Sequence, residues 1–279
     1  MASRPPSSVL NSPNGVAFAS VALKALKTIA QQRRDKQAKP LETSPEVLSK
    51  FAKLIFARDY VGGDGVTETM NEADVQPEQV LDYLIPKIAE KIGHDWMNDD
   101  MSFAHVTVVS ARLQNLAWLY IEPFRDAADQ IAEAPRVLVA VPEGETHALG
   151  GVLSVGAFAR LGCQAITAIG ASNDAIVEKS RTPGVALIAI STAASADMPS
   201  LRDLTRRLKA RKNCPPISVG GSIVGTDKAL AETLNVDLIT TDVTEALALT
   251  IGRKLFKEAD EQEPARDEGQ GGTTTKTDG

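Results

Sequence analysis

Short apolar runs alternate with stretches of helical spacing through the second half of the chain, and no other feature of the sequence constrains the fold as strongly. The five apolar runs cover residues 137–142, 163–169, 185–190, 217–219 and 236–240. The helical stretches cover residues 149–161, 173–179, 200–210, 227–234 and 243–255. Strands that alternate with helices form a parallel sheet with helices on both faces. The sequence therefore predicts a doubly wound α/β domain with five parallel strands.

The loop after the first strand carries the strongest candidate ligand. His147 follows the apolar run that ends at Pro142, with Glu145 two residues before it and Gly150 three residues after it. In such a sheet, ligands bind at the carboxyl ends of the strands, near the point where the strand order reverses. A carboxylate beside an imidazole can hold one ring nitrogen as a donor and leave the other free for a metal. A lone histidine on such a loop is more often an ordinary polar residue, so the other strand ends matter.

The ends of the third and fourth strands fit the same crevice. The third strand ends in Ser191, Thr192 and Ala193, and the fourth ends in Gly220 and Gly221. Hydroxyl groups on one wall and missing side chains on the other would leave a slot beside the sheet. The sequence therefore predicts that a long, flexible ligand tail can lie there.

Together these strand ends resemble those of the cobalamin-binding domain, whose fold is flavodoxin-like. The shared pattern is acid-x-His-x-x-Gly, then Ser, then Gly-Gly, and it comprises Glu145, His147, Gly150, Ser191, Gly220 and Gly221. The resemblance implies that His147 is the lower axial ligand of cobalt, in place of the cofactor's own base. It also implies that Glu145 orients the imidazole and that Gly150 allows a close approach.

The same resemblance implies that the displaced nucleotide tail of cobalamin lies beside Ser191, with Gly220 and Gly221 flanking it. Two residues depart from the family pattern, because Glu145 stands where many members have Asp and Ala193 stands where many have Leu. The alternative interpretation is a flavodoxin-like domain with a phosphate ligand and an incidental histidine.

Helical spacing also marks the region before the sheet. Apolar residues recur every three or four positions in Pro77–Ile92 and in Ser102–Ile121, which predicts two helices. A further helix is predicted at Pro45–Ala57, ended by a glycine-rich turn at Tyr60–Asp64. These helices would form a cap bundle ahead of the sheet.

The segment that joins the two longer helices, from Gly93 to Phe103, resembles the Gly-x-x-Trp-x-x-Asp-x-x-Ser-Phe signature of helical caps over the upper face of cobalamin. The resemblance implies that Trp96 lies over the corrin or its upper ligand, where an indole can bury flat apolar area. Taken alone, a tryptophan at this position would sooner be interpreted as part of a buried core.

Photoreceptors that hold adenosylcobalamin carry a Glu-His pair on the helix after this tryptophan. Counted from the tryptophan, the corresponding residues here are Val106 and Thr107, so the pair is absent. His105 is adjacent but shifted in register. We therefore interpret His105 as a solvated residue or a neighbour of the site, and not as the upper ligand.

Residues after the cap signature carry a narrower resemblance. Val106 and Thr107, followed by Arg112, Leu113 and Gln114, extend the match to the AerR/PpaA regulators of photosynthesis genes in purple bacteria, over about residues 78–257. The resemblance implies a light-responsive, cobalamin-binding transcriptional regulator without catalytic turnover. Such an antirepressor acts on a DNA-binding repressor of the PpsR/CrtJ type. The bound cofactor would be hydroxo-, methyl- or adenosylcobalamin.

Two alternative functions remain open on the sequence. A corrinoid methyl carrier that serves a methyltransferase also needs only a helical bundle and this sheet, whereas a radical mutase needs a large substrate barrel that the chain has no room for. Some relatives of the group bind haem on the same fold, and His147 would suit iron equally well. A haem-binding redox sensor is therefore the second alternative.

The division into domains follows from these patterns. We predict a flexible basic N-terminal extension with a short amphipathic helix at residues 1–40, the cap bundle at 41–131, the cobalamin-binding domain at 132–257 and a disordered tail at 258–279. No apolar run is long enough to span a membrane, the first eight residues are not followed by the hydrophobic region of a signal peptide, and the two cysteines fit reduced thiols. We therefore expect a cytoplasmic protein.

Charge gives a mixed prediction about nucleic acid. The net charge of −6 argues against broad electrostatic binding of DNA by the folded body. The amphipathic stretch Val16–Gln32 and the residues after it are nevertheless basic, through Lys24, Lys27, Arg33, Arg34, Lys36 and Lys39. This cluster can contact nucleic acid or an acidic face of a partner, or it can simply be solvated, which is the common outcome for a short charge run.

Overall fold

The computed structural model describes residues 42–145, 148–224 and 230–250 of the chain. The helix predicted at Val16–Gln32, the tail predicted at residues 258–279 and the ligand candidate His147 lie outside the described residues. So do the first residues of the helix predicted at 227–234 and the last residues of the one predicted at 243–255.

Helices fill the described chain before the sheet. They are α1 (Pro45–Phe56), α2 (Gly62–Glu72), α3 (Pro77–Gln79, Val80–Leu84 and Ile85–Met97 in succession) and α4 (Phe103–Asp129). Ser44 caps α1, because its hydroxyl accepts a hydrogen bond from the backbone N–H of Val47. The sequence reading missed α2, which begins inside the stretch interpreted as a glycine-rich turn at Tyr60–Asp64.

Proline shapes the widened part of α3. Pro86 has no backbone N–H and its ring crowds the carbonyl four residues earlier, so the regular ladder cannot pass it unchanged. The preceding Val80–Leu84 form a π-helical turn, in which the N–H of Ile85 donates to the carbonyl of Val80. This widened turn accommodates Pro86 without ending the helix. The helix continues to Met97, five residues beyond the predicted end at Ile92.

A second proline lies inside α4 and does not end it. The helix runs through Pro123 to Asp129, eight residues past the predicted end at Ile121. Ala128 is buried and Phe124 packs against the core, so tertiary contacts hold this last part in place.

The sheet has the predicted class and strand number. Its strands are β1 (Arg136–Pro142), β2 (Gln164–Ala171), β3 (Val185–Ser191), β4 (Ile217–Gly220) and β5 (Leu238–Ile239). The helices between them are α5 (Leu149–Arg160), α6 (Asn173–Lys179), α7 (Met198–Lys209) and α8 (Leu230–Leu234), and residues 243–250 are also helical. All neighbouring strands are parallel, in the order β2-β1-β3-β4-β5. This is the flavodoxin-like order, so the predicted fold class is confirmed.

One hydrophobic core joins the bundle to the sheet. Buried residues of α1, α3 and α4 pack in one cluster with buried residues of α5 and β1. The two parts approach closely at Gly156, where an added Cβ would lie 2.6 Å from Cγ1 of Ile121. At the C-terminal end of α5, Nη2 of Arg160 lies 2.6 Å from Oδ1 of Asp82 in the π-helical turn. The bundle is therefore fixed against the helix that follows the candidate ligand loop.

Candidate cofactor site

The strand order reverses between β1 and β3, which places the candidate residues at one crevice. From β1 the chain crosses to β2 on one side of the sheet and then to β3 on the other. Ser191 ends β3 and pairs in register with Gly220, the last residue of β4. The loops after β1 and β3 therefore flank the switch point, where open α/β sheets bind their ligands.

Glu145 connects these two loops. Its Oε1 accepts a hydrogen bond from the hydroxyl of Thr192, and its Oε2 accepts one from the backbone N–H of Ala193 at 3.1 Å. Thr192 is buried, and hydrogen bonds to a charged carboxylate are stronger than those between neutral groups. Glu145 therefore anchors the β1 loop to the β3 loop just before the position of the candidate ligand.

The sequence did not single out Thr192, although it lies beside Ser191 in the hydroxyl-bearing strand end. A carboxylate has about four acceptor positions, and Thr192 and Ala193 use two of those on Glu145. This arrangement is compatible with the expected orienting role of Glu145 toward an imidazole. That role stays a prediction.

Two adjacent glycines begin α5 in different surroundings. Gly150 is exposed, and an added Cβ would meet only Oγ of Ser191, at an ordinary contact distance of 3.5 Å. Gly151 is buried, and an added Cβ would collide with Cγ2 of Val141 on β1. Packing of α5 on the sheet therefore requires Gly151, whereas no contact within the described protein requires Gly150. The expected close approach of a cofactor at Gly150 stays a prediction.

The glycine pair after β4 fits closely against protein backbone. A Cβ at Gly220 would lie 2.7 Å from the carbonyl oxygen of Thr240, after β5. Gly221 has a φ of +96°, and its Cβ would collide with the carbonyl oxygen of Thr192. The volume that these side chains would fill is therefore occupied by backbone and is not an open slot. Contact of Gly220 and Gly221 with a nucleotide tail stays a prediction.

The candidate ligand His147 lies in the gap between Glu145 and Ala148 that the structure does not describe. Within the described residues there is no group of three or more His, Cys, Asp or Glu side chains that could hold a metal ion. A cofactor metal that takes one protein ligand needs no such group. The assignment of His147 to cobalt therefore stays a prediction.

The cap signature forms a tight turn that exposes two aromatic rings. α3 ends at Met97, Asp99 adopts a left-handed φ of +59°, and Ser102 caps α4 by accepting from the N–H of His105 at 3.3 Å. This turn brings the rings of Trp96 and Phe103 to a centroid distance of 6.1 Å. Trp96 is 46% exposed and Phe103 is 71% exposed, so the interpretation of Trp96 as a buried core residue is wrong.

The residues after the signature already have partners of their own. The ring of His105 meets the edge of Phe56 at 6.1 Å, and the hydroxyl of Thr107 donates to the carbonyl of Phe103 at 2.9 Å. Val106 packs against the core. The interpretation that His105 is not the upper ligand stays a prediction.

Arg112, part of the narrower sequence resemblance, has a structural role. Its Nη1 donates to the carbonyl oxygens of Ile55 and Ala57 at 2.8 and 2.7 Å, and so holds the end of α1. The guanidinium also lies 4.4 Å from the ring centre of Tyr60. Burial raises the pKa of the Tyr60 phenol, and the charge of Arg112 opposes that rise.

These features define a class of protein: a helical cap packed on a doubly wound sheet whose switch point carries polar strand ends. Residues 135–249 match the family model of the B12 binding domain. Over this segment the chain is similar to that family. The matched range includes the loops after β1, β3 and β4.

Two known proteins are similar to the chain beyond that domain, one in sequence and one in fold. An uncharacterized 20.5 kDa protein in the bchF-crtJ intergenic region of Rhodobacter capsulatus is 29% identical over 188 residues, which cover 65% of this chain and 95% of that protein. The monomethylamine corrinoid protein of Methanosarcina barkeri matches the structure with a TM-score of 0.58 at 15% identity, over 76% of this chain and all of that one. At this identity the structural likeness shows the fold alone.

Among the described residues, no helix is long and apolar enough to cross a membrane.

Proposed function

We propose that this chain is a light-responsive cobalamin-binding transcriptional regulator, an antirepressor without catalytic turnover that acts on a DNA-binding repressor of the PpsR/CrtJ type. The observation that carries the proposal is the exposed pair Trp96 and Phe103 on the cap. Two large aromatic side chains facing water at a helix turn favour a surface that a ligand covers. The Rhodobacter capsulatus relative supports the regulatory part, because its gene lies in the bchF-crtJ intergenic region.

The proposal places a cobalamin at the switch point of the sheet. His147 binds cobalt from below, Glu145 orients it, and the nucleotide tail passes beside Ser191, outside the close-packed backbone at Gly220 and Gly221. The hydrogen bond between Glu145 and Thr192 holds the loop after β1 at a fixed distance from the end of β3. Trp96 and Phe103 would cover the upper face.

A bound alkylcobalamin would supply a cobalt–carbon bond that light can break. The protein contributes a surface that changes with the upper face of the cofactor. Trp96 and Phe103 are buried when they pack over that face, and they are exposed to water when they do not. A repressor that contacts this surface can then read the state of the cofactor, because its affinity differs between the two states.

The histidines allow a controlled test of the cofactor part. The chain has three, His94, His105 and His147, so each can be replaced by Ala in turn and titrated with hydroxocobalamin. We expect His147→Ala to lose tight binding or to change the visible spectrum, while His94→Ala and His105→Ala bind as the wild type does. An unchanged spectrum and affinity in folded His147→Ala would contradict the assignment.

Light dependence tests the regulatory part. The protein is loaded with methyl- or adenosylcobalamin, and its affinity for a PpsR/CrtJ-type repressor is measured in the dark and after illumination. We expect the affinity to change with light, and we expect Trp96→Ala to abolish the difference. An affinity that light does not alter would refute the regulatory proposal. Uptake of haem in preference to cobalamin would favour the redox-sensor alternative.

A methyl-carrier function is the second candidate, because the solved structure cited above is a corrinoid protein of the same fold. A carrier must expose its cobalt to partner enzymes, so its cap must open readily. In that case Trp96→Ala would leave methyl transfer from a methyltransferase to an acceptor unchanged or faster. Transfer at useful rates, combined with light-independent repressor binding, would establish the carrier.

A further inference from the structure

The outer face of α4 is an uncharged strip on a helix that is otherwise well packed. Its members are exposed and follow one another at intervals of four or three residues; they are Ala104, Val108, Ala111, Asn115 and Leu119, which we call the α4 seam. Val108 is 47% exposed; Leu119 is 41% exposed, although its Cδ1 packs closely on Gly63 of α2. The outer face of a surface helix is usually charged or polar, so an apolar seam suggests a missing partner.

This face of α4 also lacks charge. From Phe103 to Ile121 the sequence contains no Asp, Glu or Lys and only one Arg, and that Arg112 is turned toward the end of α1. By contrast, α7 exposes Arg202 and Arg206 within its twelve residues. The seam also lies about a third of a turn around α4 from Phe103, at 3.6 residues per turn, so it is separate from the aromatic pair.

The shape of the seam suits one helix. Ala104 and Ala111 are small and allow close approach, while Val108 and Leu119 stand between and after them as larger apolar contacts. A seam one or two residues wide with a repeat of three and four is the pattern by which one helix packs along another.

A matching segment occurs earlier in this chain. Between residues 16 and 32 the helical repeat puts Phe18, Ala22, Ala25 and Ile29 on one side and Ser20, Lys24, Lys27 and Gln31 on the other. At 1.5 Å per residue this helix would be about 25 Å long, and the seam is about 24 Å long. An isolated helix of this length is marginal in water, so it needs a surface to pack on. We propose that residues 16–32 dock as a helix along the α4 seam.

The chain enters the described structure at a place that allows this docking. The described chain begins at Glu42, three residues before α1. Arg112, which lies level with the middle of the seam on α4, holds the end of α1, so the start of that 12-residue helix lies about 18 Å from this point. Residues 33–41 can span at most about 30 Å, enough to return from either end of the seam.

Charge selects the direction of the docked helix. Beyond the seam, α4 continues with the exposed residues Glu122 and Asp126 on the same side. Beyond the apolar segment, the chain continues with Arg33 and Arg34. A parallel arrangement brings these opposite charges together, whereas an antiparallel one separates them. The docked helix would therefore run in the same direction as α4.

Cysteine cross-linking in the full-length protein tests the docking directly. Ala111→Cys is combined in turn with Ala22→Cys, Ala25→Cys and Ile29→Cys, and each pair is oxidised mildly. The native Cys163 and Cys214 are buried, so they interfere little. We expect at least one pair to form a disulfide within a single chain. Covalent dimers alone would show that a second copy occupies the seam, and no disulfide with any partner would also overturn the proposal.

Protease sensitivity gives a second, independent measurement. Docking should protect Lys24 and Lys27 from trypsin, and Ala111→Glu should abolish that protection. Ala127→Glu is the matched control, because Ala127 is exposed on the same helix outside the seam. It should leave the protection intact. Equal cleavage of the wild type and Ala111→Glu, with both folded by circular dichroism, would refute the docking.

Discussion

The adjacent glycines at the start of α5 separate packing from ligand approach, and each can be changed to Ala. A Cβ at Gly150 meets only Oγ of Ser191 at 3.5 Å, while one at Gly151 collides with the fully buried Val141. Replacing a helical Gly by Ala stabilises by about 0.5–1 kcal/mol when nothing obstructs it, and less in the first turn. Adding one carbon to a filled core costs about 1–3 kcal/mol.

We therefore expect Gly150→Ala to be as stable as the wild type or slightly more stable, and Gly151→Ala to lose about 1–2 kcal/mol after its own helix gain. For the affinity of cobalamin we expect the opposite: Gly150→Ala should have the larger effect and Gly151→Ala the smaller one. If the corrin approaches Gly150 closely, Gly150→Ala should weaken binding by at least about tenfold, or about 1.4 kcal/mol.

Two measurements on the same samples decide the outcome. Urea unfolding gives the free energy of unfolding of each apoprotein, and titration with hydroxocobalamin followed by visible absorption gives the affinity. Wild-type affinity in Gly150→Ala would refute the role assigned to Gly150. Wild-type stability in Gly151→Ala would refute the packing argument, because Val141 would then have room to move.

Three further predictions follow from single contacts. Thr192→Val should lower the free energy of unfolding by about 1–2 kcal/mol and weaken cobalamin binding, because it removes one of the two hydrogen bonds to Glu145; Thr192→Ser should restore both quantities. Trp96→Ala should leave the apoprotein's stability nearly unchanged, because the indole is half exposed and contacts Phe103, yet weaken alkylcobalamin binding in a spectral titration. Burial raises the pKa of the Cys163 thiol from 9.0 to about 12, so above about pH 9 this thiol ionises in the unfolded chain but not in the folded one. The free energy of unfolding should therefore fall as the pH rises from that point. Urea unfolding should show a shallower fall in Cys163→Ala.

The sheet could be predicted closely because parallel strands are buried on both faces and therefore stand out as apolar runs. β3 differs from its prediction only by Ser191 at the end, and α6 has its predicted bounds. The predicted fifth strand, at Val236–Thr240, shortens to Leu238–Ile239. Edge strands lack a second neighbour, so their ends depend on loop contacts that an apolar pattern does not encode.

The helices of the cap were harder to predict, for identifiable reasons. α2 buries only Val66 and Met70, and such a short apolar repeat among glycines and polar residues resembles a loop. The continuation of α4 past Pro123 depends on packing of its last turns, which sequence propensity alone opposes. In both places tertiary contacts override the local preference.

At the candidate site, the sequence predicted which strand ends lie at the switch point but not the contacts between them. The expected open slot at Gly220 and Gly221 assumed that a missing side chain leaves space, whereas backbone from Thr240 and Thr192 fills it. A glycine permits close approach of any neighbour, and spacing along the chain does not say whether that neighbour is a ligand or the protein itself.

The departure of Glu145 from the common Asp has a structural explanation. The side chain of Glu145 crosses from the β1 loop to the hydroxyl of Thr192 and the N–H of Ala193 on the β3 loop. An aspartate is shorter by one methylene group, about 1.5 Å, and would not reach both donors without moving the loop. Gly221 in turn lets the β4 end pack directly on Thr192. The ends of β1, β3 and β4 are therefore joined through two contacts, so a shift of the ligand loop would be transmitted to both walls of the crevice.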